Sequence, residues 1–133
     1  MRFRNKIYIK NVSNFNLAQT LDCGQAFRWS KDENDVWHGI AYDKYIKITN
    51  LDGDIVITNS NEQDFDLENN YSKIIAEVSA NPTVAKAAEY SSGIRLLNQE
   101  PWEALCSFII SQNNMISRIK SIIERTCVAL GNK

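Results

Sequence analysis

Apolar and polar residues alternate in short runs along the first half of the chain. Five runs are rich in β-branched and aromatic side chains and cover residues 7–9, 26–30, 36–41, 45–50 and 54–58. Asp52-Gly53 lies between the last two runs and suits a type I′ turn, which needs positive φ at both central positions. The pattern predicts an antiparallel meander with a hairpin at this turn.

After Asp64 the apolar residues recur every three or four positions, which indicates helices. One helix is predicted from Leu67 to Val78, and Asn81-Pro82 begins a second that ends before Ser91-Ser92-Gly93. Strands come first and helices afterwards, without an internal repeat. The predicted fold class is therefore α+β.

Two further helical patterns follow Pro101, and a polar stretch separates them. Their apolar faces are Trp102, Leu105, Cys106, Ile109 and Ile110 in the first, and Ile116, Ile119, Ile123, Thr126, Cys127 and Leu130 in the second. We expect both faces to be buried, with Asn113 or Asn114 as N-cap of the second helix and Gly131 at its end. Taken alone, the polar stretch is most simply interpreted as a helix–helix turn.

The composition is typical of a globular domain, with 133 residues of which 44% are hydrophobic and 23% charged. No apolar run is long enough to cross a bilayer, and the N-terminus lacks the apolar segment of a signal peptide. We therefore expect no membrane association and a location in the cytoplasm.

Side chains that bind metals are few. Cys23, Cys106 and Cys127 form no Cys-x-x-Cys pair, and His38 is the sole histidine. We predict reduced thiols that act as small hydrophobic side chains, no metal site and no cofactor.

The charge is distributed unevenly although the net charge is only −1. Residues 31–70 carry ten Asp or Glu against three Lys, residues 1–10 carry four cations and no anion, and residues 111–133 carry four cations and one anion. Such separation allows one face to meet a polyanion while another stays solvated, but it does not establish nucleic-acid binding.

Two sets of motifs resemble a known family when they are taken together. Cys23-Gly24-Gln25-Ala26-Phe27-Arg28-Trp29 precedes Trp37-His38-Gly39, and Gly93-Ile94-Arg95-Leu96-Leu97 leads through Pro101-Trp102-Glu103 to Ser111-Gln112-Asn113-Asn114 and Arg118. In this order and at this separation they resemble the N-terminal half of 8-oxoguanine DNA glycosylases. The resemblance covers nearly the whole chain.

The resemblance implies a twisted antiparallel sheet, similar to the TATA-binding-protein fold, in residues 1–98. Residues 99–133 would be the first helices of a helix-hairpin-helix glycosylase domain. The family uses a lysine nucleophile and an aspartate that lie further along its chains, so we assign no catalytic residue to this sequence. Since the sequence stops just after a predicted helix, we interpret it as a fragment and expect it to leave DNA uncleaved.

By resemblance, Gly24 recognises the lesion. Oxidised guanine carries an N–H donor at N7 where guanine has a lone pair, so a backbone carbonyl opposite N7 separates the two bases. Glycine permits close approach because it lacks a Cβ. The alternative is a turn glycine between a helix and a strand.

By the same resemblance, Asn113 fills the gap that a flipped base leaves and Arg118 contacts the orphaned cytosine. The alternatives are an N-cap for Asn113 and a solvated helix face for Arg118. Gln112, Asn114 and the amides that begin the last helix would hold phosphate. We expect Arg28 to brace the nearby loop. We expect four aromatic side chains to be core rather than a stacking platform: Phe27, Trp29, Trp37 and Trp102.

The implied partner is double-stranded DNA that contains oxidised guanine. The resemblance therefore also implies a location at the nucleoid of a bacterium or archaeon, or in the nucleus of a eukaryote. A second copy of the chain is another expected partner, through apolar faces at Ile119, Ile123 and Cys127 that a missing domain would cover. Two alternative functions stay open: a non-catalytic DNA-binding or scaffold module, and an alkyl-base glycosylase, against which the motif at residues 24–29 argues.

Overall fold

The computed structural model describes residues 5–10, 13–51, 54–60 and 62–131, so the predicted Asp52-Gly53 turn lies outside the described residues. A single five-stranded antiparallel sheet has the order β1-β5-β4-β3-β2. Its strands are β1 (Lys6–Ile9), β2 (Trp29–Lys31), β3 (Trp37–Ala41), β4 (Lys44–Leu51) and β5 (Asp54–Thr58). Strands β2 to β5 form the predicted meander, and β1 joins its far edge by pairing with β5.

One face of the sheet carries the hydrophobic core. Pairing Trp37 with Ile48 and Gly39 with Ile46 brings the buried positions of β3 and β4 to the same side. The indole of Trp29 lies over Gly39, where a Cβ would come within 2.3 Å of the ring. Glycine at this position therefore allows the edge strand β2 to pack its tryptophan into the core.

The predicted strand at residues 26–30 is wrong in its first half, because β2 begins only at Trp29. Residues 22–27 instead form a loop between β2 and the short helix α1 (Leu17–Leu21), which packs Leu17 and Leu21 into the core. A 3₁₀ helix, Glu62–Phe65, adds the fully buried Phe65.

Two helices form an outer hairpin, α2 (Tyr71–Ser79) and α3 (Pro82–Tyr90). The side chains of Asn70 and Asn81 cap them by accepting hydrogen bonds from the amides of Lys73 and Thr83. The predicted start of α2 at Leu67 is four residues early, because the Asn70 cap fixes the first helical residue as Tyr71.

Helices α4 (Pro101–Ser111) and α5 (Ile116–Leu130) match the two predicted helices in position. The expectation that both apolar faces are buried is wrong. On α5, Ile119 and Ile123 are buried but Leu130 is 83% exposed, and on α4 the indole of Trp102 is 70% exposed. The cause is geometric, since no described element covers the outer side of this pair.

The thiols are less buried than expected. Cys106 is half-buried, but Cys23 and Cys127 are exposed, because Cys127 lies on the uncovered side of α5.

The fold class is α+β, as predicted. Within the described ranges, no helix combines the length and the hydropathy needed to span a membrane.

Candidate nucleic-acid interface

The loop of residues 22–27, called loop 22–27 below, carries Gly24 in a backbone conformation that suits glycine. Its φ is +87°, in the left-handed region that residues with a Cβ rarely adopt. A Cβ built there would lie 3.6 Å from Cδ1 of Ile116, an ordinary contact distance. Glycine is therefore needed for the backbone dihedral, whereas the space around it would accept a methyl group.

The side chain of Gln25 holds loop 22–27 in place. Its Nε2 donates to the carbonyl of Thr20 at 2.9 Å and to that of Arg95 at 2.8 Å, and its Oε1 accepts from the amide of Leu97 at 3.0 Å. The carbonyl of Gln25 in turn accepts from Nε2 of Gln99 at 2.6 Å. This amide side chain links the end of α1 to the extended segment 94–99, so it fixes the backbone beside Gly24.

Segment 94–99 is anchored by a buried arginine. Arg95 is 4% exposed, and its Nη1 donates to the carbonyl of Asp66 at 2.8 Å. Its guanidinium lies 4.3 Å from the ring centroid of Tyr71 and 5.6 Å from that of Phe15. Burial lowers the pKa of Arg95 from its ordinary value, and the nearby Tyr71 and Asp66 oppose this. The contact of its guanidinium with these rings anchors Arg95 to the core, and the carbonyl of Arg95 is the one that accepts from Gln25.

The α4–α5 corner, residues 112–115, turns the chain between the two helices. Asn113 adopts a left-handed conformation with φ of 55°, which asparagine tolerates better than most residues. Asn114 donates through Nδ2 to the carbonyls of Ile110 and Gln112, at 2.8 and 3.3 Å. The predicted N-cap is therefore wrong. The N-cap residue of α5 is Met115, which makes no side-chain capping bond, because the amide of Asn114 serves the end of α4 instead.

The corner leaves two polar side chains turned to solvent. Asn113 and Arg118 are exposed, and neither side chain makes a hydrogen bond or ion pair with any residue that the structure describes. The first amides of α5 also have no side-chain cap. The corner therefore presents unused donors beside a helix N-terminus, where the potential is positive.

Loop 22–27 lies next to α5. Cδ1 of Ile116 is 3.6 Å from the position that a Cβ on Gly24 would occupy, and Nζ of Lys120 lies 3.0 Å from Oδ1 of Asp22. Both parts of the chain line one open cleft, together with Phe27, Phe108 and Ser111. The structure thus brings the two sequence motifs together, although about ninety residues separate them.

An ion pair ties the start of β2 to α4. Nη1 of Arg28 lies 3.4 Å from Oε2 of Glu103, with both side chains mostly buried. Burial raises the pKa of Glu103, and the adjacent Arg28 opposes this rise. Arg28 therefore has a partner on α4, and its bracing of the nearby loop stays a prediction.

Comparison with known proteins decides the family. Residues 7–105 match the family described as 8-oxoguanine DNA glycosylase, N-terminal domain. The chain belongs to this family. An N-glycosylase/DNA lyase of Saccharomyces cerevisiae is 32% identical over 143 residues, which cover 92% of this chain and 38% of the yeast protein.

Solved structures of family members share the fold. The apo-form of the 8-oxoguanine glycosylase/lyase of Clostridium acetobutylicum is 37% identical with a TM-score of 0.88, over 100% of this chain and 52% of that one. The same enzyme in complex with double-stranded DNA containing cytosine opposite 8-oxoguanine is 38% identical with a TM-score of 0.87, over 100% and 51%. The chain therefore spans about half the length of these glycosylases.

The aromatic residues of the family motifs have different surroundings. Trp29 and Trp37 are buried in the core, at 6% and 7% exposure, as expected. Phe27 is half-buried and lines the cleft beside Gly24. Trp102 contradicts the expectation, because the first turn of α4 directs it to the uncovered side.

His38 of the family motif is held by its neighbours. Its Nδ1 lies 2.5 Å from the hydroxyl of Tyr45 and its Nε2 lies 2.8 Å from Oδ2 of Asp32. In the described ranges, no three His, Cys, Asp or Glu side chains are grouped so that they could hold a metal ion.

Sequence reasoning assigned no role to three residues that position loop 22–27: Gln25, Asp22 and Lys120. Gln25 stands beside Gly24, so its amide could have been suspected. Nothing local marks Asp22 and Lys120 as partners, because ninety-eight positions separate them.

Proposed function

We propose that this chain supplies part of the recognition surface of a base-excision-repair DNA glycosylase/AP lyase that acts on 8-oxoguanine opposite cytosine in duplex DNA. The observation that carries the proposal is the single cleft lined by Gly24 and by the residues on either side of the α4–α5 corner. A lesion contact and an opposite-base contact must lie close together, because the flipped base and its former partner come from one base pair.

Gly24 would offer its carbonyl to N7 of the oxidised base. The N7–H of 8-oxoguanine donates to a carbonyl, whereas the lone pair of guanine repels it, so we expect discrimination of about 1–3 kcal/mol from this contact. The left-handed backbone of Gly24 and the bracing by Gln25 support this role, because both fix the direction of the carbonyl.

Asn113 and Arg118 would serve the opposite strand. The exposed amide of Asn113 offers a donor and an acceptor to the gap that the flipped base leaves, and the guanidinium of Arg118 offers a fork of donors to cytosine. Their lack of partners among the described residues supports this assignment.

The hydrogen bonds within the corner decide which side chains keep N–H groups free to bind phosphate. Both Nδ2 hydrogens of Asn114 are used inside the corner, whereas Nε2 of Gln112 gives one bond, to the carbonyl of Phe108 at 3.2 Å. We therefore assign phosphate binding to the second N–H of Gln112 and to the uncapped amides of α5, with Asn114 shaping the turn.

The catalytic lysine and aspartate belong, in this proposal, to sequence outside the 133 residues. The chain then divides into a sheet domain, residues 1–98, and the first helices of a glycosylase domain, residues 99–133. The loop 22–27 and the α4–α5 corner would be one wall of the cleft, and the groups that perform the chemistry would form another.

Borohydride trapping tests the proposal. The protein encoded by the complete reading frame should form a covalent adduct with duplex DNA containing 8-oxoguanine opposite cytosine, since a lysine nucleophile gives a reducible Schiff base. The 133 residues alone should give none. An adduct with the short chain would contradict the assignment of chemistry to other residues, and absence of any adduct with the complete protein would favour a non-catalytic DNA-binding module.

A homodimer stays a separate prediction, but the surface through which it would form differs from the one expected from the sequence. Ile119 and Ile123 are buried within the chain, so they do not form the apolar face that we expected to pair. Exposed apolar side chains lie elsewhere on the helix pair, at Leu105, Phe108 and Ile109 of α4 and at Val128 and Leu130 of α5. Light scattering at high concentration should detect the dimer, and a strict monomer would exclude it.

A further inference from the structure

The ion pair between Asp22 and Lys120 joins loop 22–27 to α5, with Nζ 3.0 Å from Oδ1. One turn earlier on the helix, Cδ1 of Ile116 lies 3.6 Å from the position that a Cβ on Gly24 would occupy. Ile116 and Lys120 are four residues apart and so lie on one face of the helix, while Asp22 and Gly24 are separated by a single residue. The loop therefore faces one side of α5 at positions on both sides of Cys23.

Exposed ion pairs add little to global stability, because water screens them and long side chains lose freedom. The side chains of Lys120 and Asp22 are 35% and 59% exposed, so we assign them no such role. Their effect is local. A lysine fixed at the first turns of α5 restrains a loop whose own backbone forms no strand.

We infer that Lys120 is a positioning residue, which holds Gly24 at a fixed place relative to Asn113 and Arg118 by its ion pair with Asp22. This inference rests on the proposed function. Arg118 and Lys120 are near neighbours on α5 but differ in what they meet: Arg118 has no described partner, whereas Lys120 is committed to Asp22. The two cations therefore have separate tasks, one towards DNA and one towards the loop.

A charge swap tests the inference in the protein encoded by the complete reading frame. Lys120→Asp should lower the ratio of affinities for 8-oxoguanine and guanine duplexes by about two- to five-fold, the effect expected for losing an exposed pair. Adding Asp22→Lys should restore most of the ratio, because the pair is re-formed with reversed charges. A control is Lys73→Asp, which breaks the exposed pair with Glu77 on α2 and should leave the ratio unchanged.

Failure of rescue would overturn the inference. If Lys120 contacts a DNA phosphate, Lys120→Asp weakens binding to both duplexes equally and lowers the salt dependence, and Asp22→Lys does not restore the ratio. An unchanged ratio in Lys120→Asp would overturn it as well.

Hydrogen exchange without DNA separates this inference from the proposed function. Amides of residues 22–27 should exchange faster in Lys120→Ala and return towards wild-type rates in the swapped pair. Unchanged exchange would refute the positioning role. A wild-type protein that binds both duplexes equally would refute the proposed function, while the exchange result would still decide the role of Lys120.

Discussion

Loop 22–27 depends on two neighbouring residues in different ways. Gly24 is required for its positive φ, since a methyl group would meet only Ile116 at 3.6 Å. Gln25 is required for its hydrogen bonds, because one amide group serves two carbonyls and one N–H. A change at the first residue should act through backbone strain, and a change at the second through unsatisfied polar groups.

Gly24→Ala should destabilise the loop conformation by about 1–2 kcal/mol, the cost of a left-handed dihedral for a residue with a Cβ. Preference for 8-oxoguanine over guanine should fall with it. Gly24→Asn is the matched variant, because asparagine adopts this conformation more readily and should retain more of the preference. Competition binding checks both, and an alanine variant with full preference would contradict the dihedral argument.

Gln25→Glu should destabilise the protein more at neutral pH than Gln25→Ala does. The glutamate replaces a donor with an acceptor that faces the carbonyls of Thr20 and Arg95, and a buried unsatisfied group costs about 1–3 kcal/mol. Denaturant unfolding of both variants at neutral and acidic pH checks this. The glutamate variant should recover as its carboxyl protonates, and an absence of recovery would contradict the argument.

At the scale of elements, the hairpin between β2 and β3 is organised by one carboxylate. Oδ1 of Asp32 accepts from the amides of Asn34 and Val36 at 2.9 and 3.0 Å, and Oδ2 meets His38. The hydrogen bond from His38, and then that from Val36, lower the pKa of Asp32 below its ordinary value of 3.8.

The hairpin should therefore weaken in acid. A carboxyl with a lowered folded pKa stabilises the fold above its unfolded pKa, and this contribution is lost as the pH falls through the folded pKa, below about 4. Asp32→Asn should unfold at a lower temperature than wild type at pH 7. This difference in unfolding temperature should shrink in acid. Thermal unfolding of both proteins at pH 7 and in acid measures it, and a difference that stays constant would contradict the argument.

The elements show what sequence patterns can and cannot predict. The strand at residues 54–58 and the helix after Pro101 followed from periodicity and a proline at the first turn. Residues 26–28 were wrongly predicted as strand, because the bonds that Gln25 makes with residues 95 and 97 are invisible in local pattern. Asn114 was wrongly predicted as a cap for the same reason. Its side-chain amide donates to the carbonyls of Ile110 and Gln112 and does not cap α5.

The candidate site was predictable only as separate motifs. Residues 23–29 and 111–118 could be named from the sequence, but the cleft that Gly24 and Ile116 line together depends on tertiary packing. The Arg95 guanidinium between two aromatic rings is likewise a product of tertiary packing.

For the whole molecule, the separation of charge limits the proposed binding to DNA. Residues 111–133 are cationic while residues 31–70 are strongly acidic, so few phosphates can be contacted at once. The 133 residues should bind duplex DNA only in the non-specific range, with Kd of about 10⁻⁴–10⁻⁶ M.

Arg118→Ala should lower the slope of log affinity against log salt by about one if the arginine meets a phosphate, and leave it nearly unchanged if it meets cytosine. We expect the second result, with a relaxed preference for cytosine opposite the lesion. Fluorescence anisotropy across salt concentrations and four opposite bases checks both quantities, and unchanged opposite-base preference would remove the assigned role.

The contact between Asp22 and Lys120 also bears on the order in which the molecule is assembled. A contact between residues so far apart in the sequence closes a long loop, which costs conformational entropy. We therefore expect this contact to form late in folding. During synthesis, α1 and the whole sheet leave the ribosome well before α5 is available, so the sheet can form while loop 22–27 still lacks its seat on that helix. We therefore expect loop 22–27 to be among the last parts of the nascent chain to become ordered.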